Sequence, residues 1–174
     1  MNIRESKSED LNSIRLVHEN AFGEPEGKVV AQLACDILKD ETATPLLSLV
    51  AEENGKIVGN VIFSSVKVEG NKGLSVYLLA PLAVSKDHQR MGLGTKLISY
   101  GVEALKQRDA DIILVLGDPN YYTRTGFQAN HNIEAPHKLE YPEAWMALEL
   151  KSGILEQAKG VALCASSLAS PEHW

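Results

Sequence analysis

Apolar residues recur at helical spacing near the start of the chain, at Leu11, Ile14, Val17, His18 and Ala21. Ser6-Lys7-Ser8-Glu9, just ahead, fits the S-x-x-E capping box that satisfies the free N–H groups of a first helical turn. A helix is therefore predicted here, ending at Phe22-Gly23-Glu24-Pro25, with His18 on its core-facing stripe as a packed residue rather than a catalyst. A second amphipathic run, from Glu26 to about Lys39, places Val29, Val30, Leu33, Ala34, Ile37 and Leu38 on its apolar face. Asn2 to Arg4 is a short strand candidate before this helix pair.

After a linker from Thr42 to Pro45 the pattern changes to strands. Leu46 to Glu52 and Lys56 to Val68 flank Asn54-Gly55, the strongest two-residue hairpin signal. Gly70 to Gly73 makes a further turn, and Leu74 to Val84 is a third long strand. Pro81 near its end removes a ladder donor, so pairing should break or bulge there. The next helix carries Leu93, Leu97, Ile98, Gly101, Ala104 and Leu105 on one stripe. Asp111 to Leu116 then has the short β-branched run of a strand buried on both faces. Strand, helix and buried strand form a βαβ unit with a parallel pair. Asp118-Pro119 starts a short helix stopping at Gly126, and Phe127 to about Asn130 and Ala144 to Leu150 are later strand candidates. An antiparallel meander joined to one βαβ unit is an α+β fold.

Length and charge narrow the possibilities. The 174 residues suit one domain, with a core over about residues 1–150 and an extension over 151–174. A net charge of -6 argues against nucleic acid or an anionic membrane as the main partner. No run reaches the length of a membrane span and the first ten residues carry no signal-like apolar core, so the cytoplasm is the expected location. Cys35 and Cys164 sit in apolar surroundings and suggest neither a disulfide framework nor a cysteine metal site. His131 and His137 stand alone, so no catalytic metal is expected. Monomer and homodimer both remain open.

The stretch Leu82 to Leu97, LAVSKDHQRMGLGTKL, carries the most chemistry. It reads as a strand end, a polar turn, a glycine pair and a helix start. Unpaired N–H groups and the positive end of a helix dipole make such a start an anion site, beside which Arg90 adds a charge. A P-loop is excluded, because Thr95-Lys96 has the wrong order and spacing. The dinucleotide fingerprint fails at Leu97, where a third glycine is required.

The pattern Gln/Arg-x-x-Gly-x-Gly/Ala does fit, and it resembles the pyrophosphate loop of the GNAT acyl-CoA N-acyltransferases. Tyr122-Thr123-Arg124-Thr125-Gly126-Phe127 resembles the Tyr-x-x-x-Gly-Phe ending of that family's last helix. The two motifs stand in the family's order, separated by a helix and a buried strand, and the resemblance covers about residues 1–150. LAPLAV, VLGDPNYYTRTGF and AWMALEL look closest to the YhbS-like acetyltransferases. Many members carry an Asn about seven residues before the tyrosine; Val115 stands there in this chain, and Asn120 is too close to replace it.

This resemblance implies a GNAT fold: a mixed, mostly antiparallel sheet with one parallel βαβ pair, flanked by helices. It implies acetyl-CoA as cosubstrate, an amine acceptor and direct transfer in a ternary complex. Gln89, Arg90, Met91, Gly92, Leu93, Gly94 and Thr95 would hold the diphosphate. The pantetheine arm would pair with the open edge of Leu82, Ala83 and Val84, where a backbone N–H would also stabilise the developing oxyanion. Tyr122 would be the general acid, and Phe22 to Glu26 would border the acceptor. Glu52, Glu53 and His88 are general-base candidates among which the sequence does not choose. The alternatives are a catalytically silent acyl-CoA-binding or sensory module and a ligand-free partner-binding domain.

Overall fold

The computed structural model describes residues 1–174. In chain order its main elements are β1 (Asn2–Glu5), α1 (Leu11–Phe22), α2 (Glu26–Lys39), β2 (Leu47–Glu53), β3 (Lys56–Val68) and β4 (Val76–Val84). There follow α3 (Leu93–Gln107), β5 (Ile112–Leu116), α4 (Pro119–Tyr122), β6 (Asn132–Glu134), β7 (Trp145–Glu149), α5 (Ile154–Gln157) and β8 (Lys159–Leu163). The sheet runs β1-β2-β3-β4-β5-β7, antiparallel throughout except for the parallel β4–β5 pair. This is the GNAT fold that the sequence resemblance implies. A second parallel pairing, β6 with β8, lies off the main path, and β8 also pairs with the far end of β3.

Successive strand residues face opposite sides of the sheet, so the core divides in two. Val50, Ile62, Leu78 and Leu114 pack under α1 and α2 with Ile14 and Ile37. Leu49, Phe63, Leu79 and Val115 pack under α3 with Leu97, Ile98 and Leu105. Residues 155–168 contribute Leu155, Ala162, Ala165 and Leu168 to the first of these clusters.

Pro81 acts as expected. Val61 pairs with Leu82 and Phe63 with Leu79, so Ala80 and Pro81 on β4 bulge opposite the single residue Ile62. On its other side β4 pairs with β5 only at Val76, Tyr77 and Leu78. From Leu79 onward that edge of β4 is open.

Two local expectations need correction. Ser6 is not the helix cap: a 3-10 turn, Ser8–Asp10, precedes α1, and the Asp10 carboxylate accepts from the Lys7 N–H at 2.7 Å. Asp10 is thus the third-position partner of a capping box that begins at Lys7, one residue later than expected, and Arg4 on β1 holds its carboxylate at 2.8 Å. Phe127 to Asn130 is not a strand either. It makes one bridge, Gln128 to Ala147, before the chain departs to form β6. The left-handed Gly126 (φ 95°) redirects the chain at this point, and the buried Phe127 anchors it.

His18 is a packed residue, as its position on the stripe suggested. It is fully buried, with Nε2 2.8 Å from Asn60 Oδ1, while Nδ1 has no partner.

Candidate active site

The residues expected to hold a diphosphate converge where β4 gives way to α3. Gly92 caps the helix in the left-handed conformation (φ 82°), which a side chain would strain, and Arg90 is left-handed as well (φ 63°). The first N–H of the region to find a backbone acceptor is that of Lys96, at Gly92 O. The six N–H groups from Arg90 to Thr95 have no protein acceptor, and the dipole of a 15-residue helix lies behind them. These are the features that a diphosphate requires, so the residues present fit an acyl-CoA.

Leu82, Val84, Gln89, Arg90, Gly92, Leu93, Gly94 and Thr95 line one cavity of about 240 Å³ with His88 and Tyr121. Ala83 and Met91 are the exceptions among the expected cofactor residues. Ala83 is buried and Met91 is 69 % exposed, and neither lines the cavity. The Gln89 side chain is partly engaged, since its amide donates to Val84 O at 2.9 Å and so ties the loop to the strand. Ser85 N–H bonds to Val58 O on β3, so by the alternation of the ladder Leu82 and Val84 direct their N–H and C=O groups to the open edge.

Tyr121 and Tyr122 separate as adjacent helical residues must. Tyr121 turns to the diphosphate cavity, where its hydroxyl occupies the space a Cβ on Gly94 would need. Tyr122 lines a neighbouring cavity of about 680 Å³ and forms no hydrogen bond through its hydroxyl to the protein. Burial pushes its phenol well above the usual tyrosine range, with a smaller contribution from Tyr121. Asp118 caps α4 by accepting from Asn120 N–H at 2.9 Å. Gly117 makes room for the Tyr122 ring, because a Cβ there would lie 2.3 Å from the ring edge. Leu82 lines both cavities and joins them.

Around Tyr122 the second cavity is bounded by Leu79 to Leu82 of β4 and by Phe22, Pro25 and Glu26 between α1 and α2. Glu172 and His173 of a 3-10 turn, Pro171–His173, form another wall, which no local pattern in the sequence disclosed. The general-base candidates lie elsewhere. Glu52 reaches toward Arg4 at 3.4 Å. His88 bridges Ser85 Oγ at 2.8 Å and Glu53 Oε2 at 2.6 Å beside the diphosphate loop. None of these three lines the Tyr122 cavity. A larger groove of about 1010 Å³ lies between α3 and the β1–β2 edge, remote from Tyr122. No three His, Cys, Asp or Glu side chains come together in a metal-binding group, and no helix is long and apolar enough to cross a membrane.

Comparison with known proteins agrees with this geometry. The model of the acetyltransferase (GNAT) family matches residues 11–127. The uncharacterized N-acetyltransferase YjhQ of Escherichia coli is 36% identical over 147 residues, covering 81% of this chain and 80% of YjhQ. The crystal structure of the GNAT N-acetyltransferase YhbS from Escherichia coli, in complex with CoA, superposes with a TM-score of 0.88 at 28% identity over 98% of this chain and 92% of that one. A GNAT acetyltransferase of Brucella melitensis bound to acetyl-CoA gives 0.76 at 29% identity over 96% and 97%. With the family model spanning most of the chain and the fold shared along its length, this protein belongs to the GNAT family of N-acetyltransferases.

Proposed function

We propose that the chain transfers an acetyl group from acetyl-CoA to a primary amine of a small molecule or protein, by direct attack in a ternary complex. One observation carries this reading. Six consecutive unpaired N–H groups at a helix start adjoin, through Leu82, a separate cavity into which Tyr122 brings an unpartnered hydroxyl. An anion site and a proton donor at the two ends of one groove suit a long cosubstrate with a charged end and a reactive end.

Each residue has a physical task. The N–H groups from Arg90 to Thr95 hold the diphosphate, with Arg90 beside them. Leu82 and Val84 pair with the pantetheine amides along the open edge of β4, and a backbone N–H on that edge stabilises negative charge at the carbonyl oxygen. Tyr122 gives a proton to the departing thiolate. Phe22 to Glu26 borders the acceptor. CoA and acetyl-CoA in the YhbS and Brucella structures support the choice of cosubstrate.

Calorimetric titration with acetyl-CoA, followed by thiol release over a panel of amines, tests the proposal. Turnover is the expected outcome; binding without turnover across the panel would favour the silent acyl-CoA-binding or sensory module. The double substitution Gly92→Val and Gly94→Val should weaken acetyl-CoA binding by about 100-fold, because it strains the left-handed cap and places side chains over the N–H cradle. Affinity unchanged in the double variant would reject the loop as the diphosphate site.

A further inference from the structure

Transfer to an amine needs a proton acceptor, and the titratable side chains lining the Tyr122 cavity are Glu26, Tyr122, Glu172 and His173. Tyr122 donates, and Glu26 and Glu172 are exposed at the rim. His173 is mostly buried, with a 13% exposed side chain, and its Nε2 lies 3.6 Å from Glu172 Oε1. That separation is too long for a hydrogen bond, so the Nε2 lone pair is not taken up by Glu172. Imidazole is the side-chain type that changes charge nearest neutral pH, which suits a general base.

The turn bearing His173 is firmly held. The Trp174 indole donates to Leu168 O at 2.8 Å and packs edge-on against Trp145 of β7 at 5.5 Å. His137 Nε2 lies 2.8 Å from Ala169 O, and Ser167 donates twice to Asp40 Oδ2 after α2.

We propose that His173, in the wall of the cavity that Tyr122 lines, is the general base that deprotonates the incoming ammonium. This rests on the transferase reading above. His173 takes one proton from R–NH3+, and the freed lone pair forms the N–C bond to the thioester carbonyl carbon. The C–S bond breaks, and the thiolate takes the Tyr122 proton. The nitrogen's second proton returns Tyr122 to its phenol form, and His173 releases its proton to solvent. The products are the amide, CoA thiol and one proton.

An amine that is already neutral needs no base, and this separates catalysis from architecture. Thiol release at pH 8 would be followed with acetyl-CoA and hexylamine or phenethylamine, and with their electron-poor fluorinated counterparts, which are uncharged at that pH. His173→Gln should lower kcat/KM by about 100-fold for the ordinary amines and by less than about 3-fold for the electron-poor ones. Calorimetric affinity for acetyl-CoA should not change. Equal losses on both kinds of amine, or no loss on either, would overturn the assignment. A wild-type protein that binds acetyl-CoA but acetylates none of these amines would overturn the transferase reading, and the base with it.

Discussion

Turnover is expected to fall about 100-fold or more in Tyr122→Phe, with acetyl-CoA affinity nearly intact. A departing thiolate resembles that of free cysteine, whose pKa is about 8.5, and it leaves more readily if protonated as the C–S bond breaks. Burial keeps Tyr122 in its phenol form and favours rapid recovery of its proton. The substitution removes one oxygen and keeps the ring, which packs edge-on against Phe127 at 5.6 Å and against Tyr121 at 4.9 Å. The fold and the neighbouring cradle should therefore be undisturbed. Gly117→Ala should also slow turnover, because it pushes the Tyr122 ring aside while leaving its hydroxyl present. Single-turnover measurement of thiol release, with chemistry rate-limiting, checks both. Near wild-type rates in Tyr122→Phe would remove this side chain from the mechanism.

Stability should drop as pH falls from about 6.5 to about 4, by roughly 3 kcal/mol from His18 alone. Burial lowers the His18 pKa to about 4, against a hydrogen bond to Asn60 that raises it. In the unfolded chain an exposed imidazole takes up its proton near pH 6.5. Between these values the unfolded state binds a proton that the folded state refuses, so the stabilisation is full above 6.5 and lost on the way down to 4. His131, also lowered by burial, acts in the same direction. Asp10 and Asp111, held below their ordinary values, and Asp40, brought to about 2, add their losses only at lower pH. Urea midpoints at pH 7 and pH 5 measure the effect. His18→Gln, which retains a donor for Asn60, should flatten the difference. A wild-type midpoint that is level across this range would contradict the buried neutral histidine.

The turn and helix start from Gln89 to Thr95, proposed to hold the diphosphate, were legible because their geometry is local. A left-handed cap, a helix start and an adjacent arginine occupy neighbouring positions, and short-range geometry leaves few residue choices. The short helix bearing Tyr122 was legible for the same reason, and the resemblance, through the spacing to Gly126 and Phe127, singles out this tyrosine for its proposed role. The bulge at Pro81 follows from the chemistry of a single residue. Of the second cavity, Tyr122 and the Phe22 to Glu26 side were named through the resemblance, but the wall of Glu172 and His173 was not legible, for it meets Glu26 across most of the chain and bears no local mark. Likewise, nothing near His88 announces that it turns to Glu53, 35 residues earlier. The pairing of β6 with β8 sets Ile133 opposite Gly160 and Glu134 opposite Val161, a register which the alternation of either segment leaves undecided.

The division of the groove at Leu82 bears on how such a protein can diversify. The half proposed for the cosubstrate comes, apart from Tyr121, from one continuous stretch, strand edge to helix start, so its parts must change together. Beyond β4 and Tyr122, the half proposed for the acceptor is walled by the α1–α2 junction and the Pro171–His173 turn, two segments that share neither residues nor hydrogen bonds with the N–H cradle. Substitution in those two segments alters what enters from one side while the donor stays seated on the other. A lineage could exchange its acceptor without passing through a form that has lost acetyl-CoA. For the same reason, directed evolution toward new amines is best confined to Phe22–Glu26 and Pro171–His173.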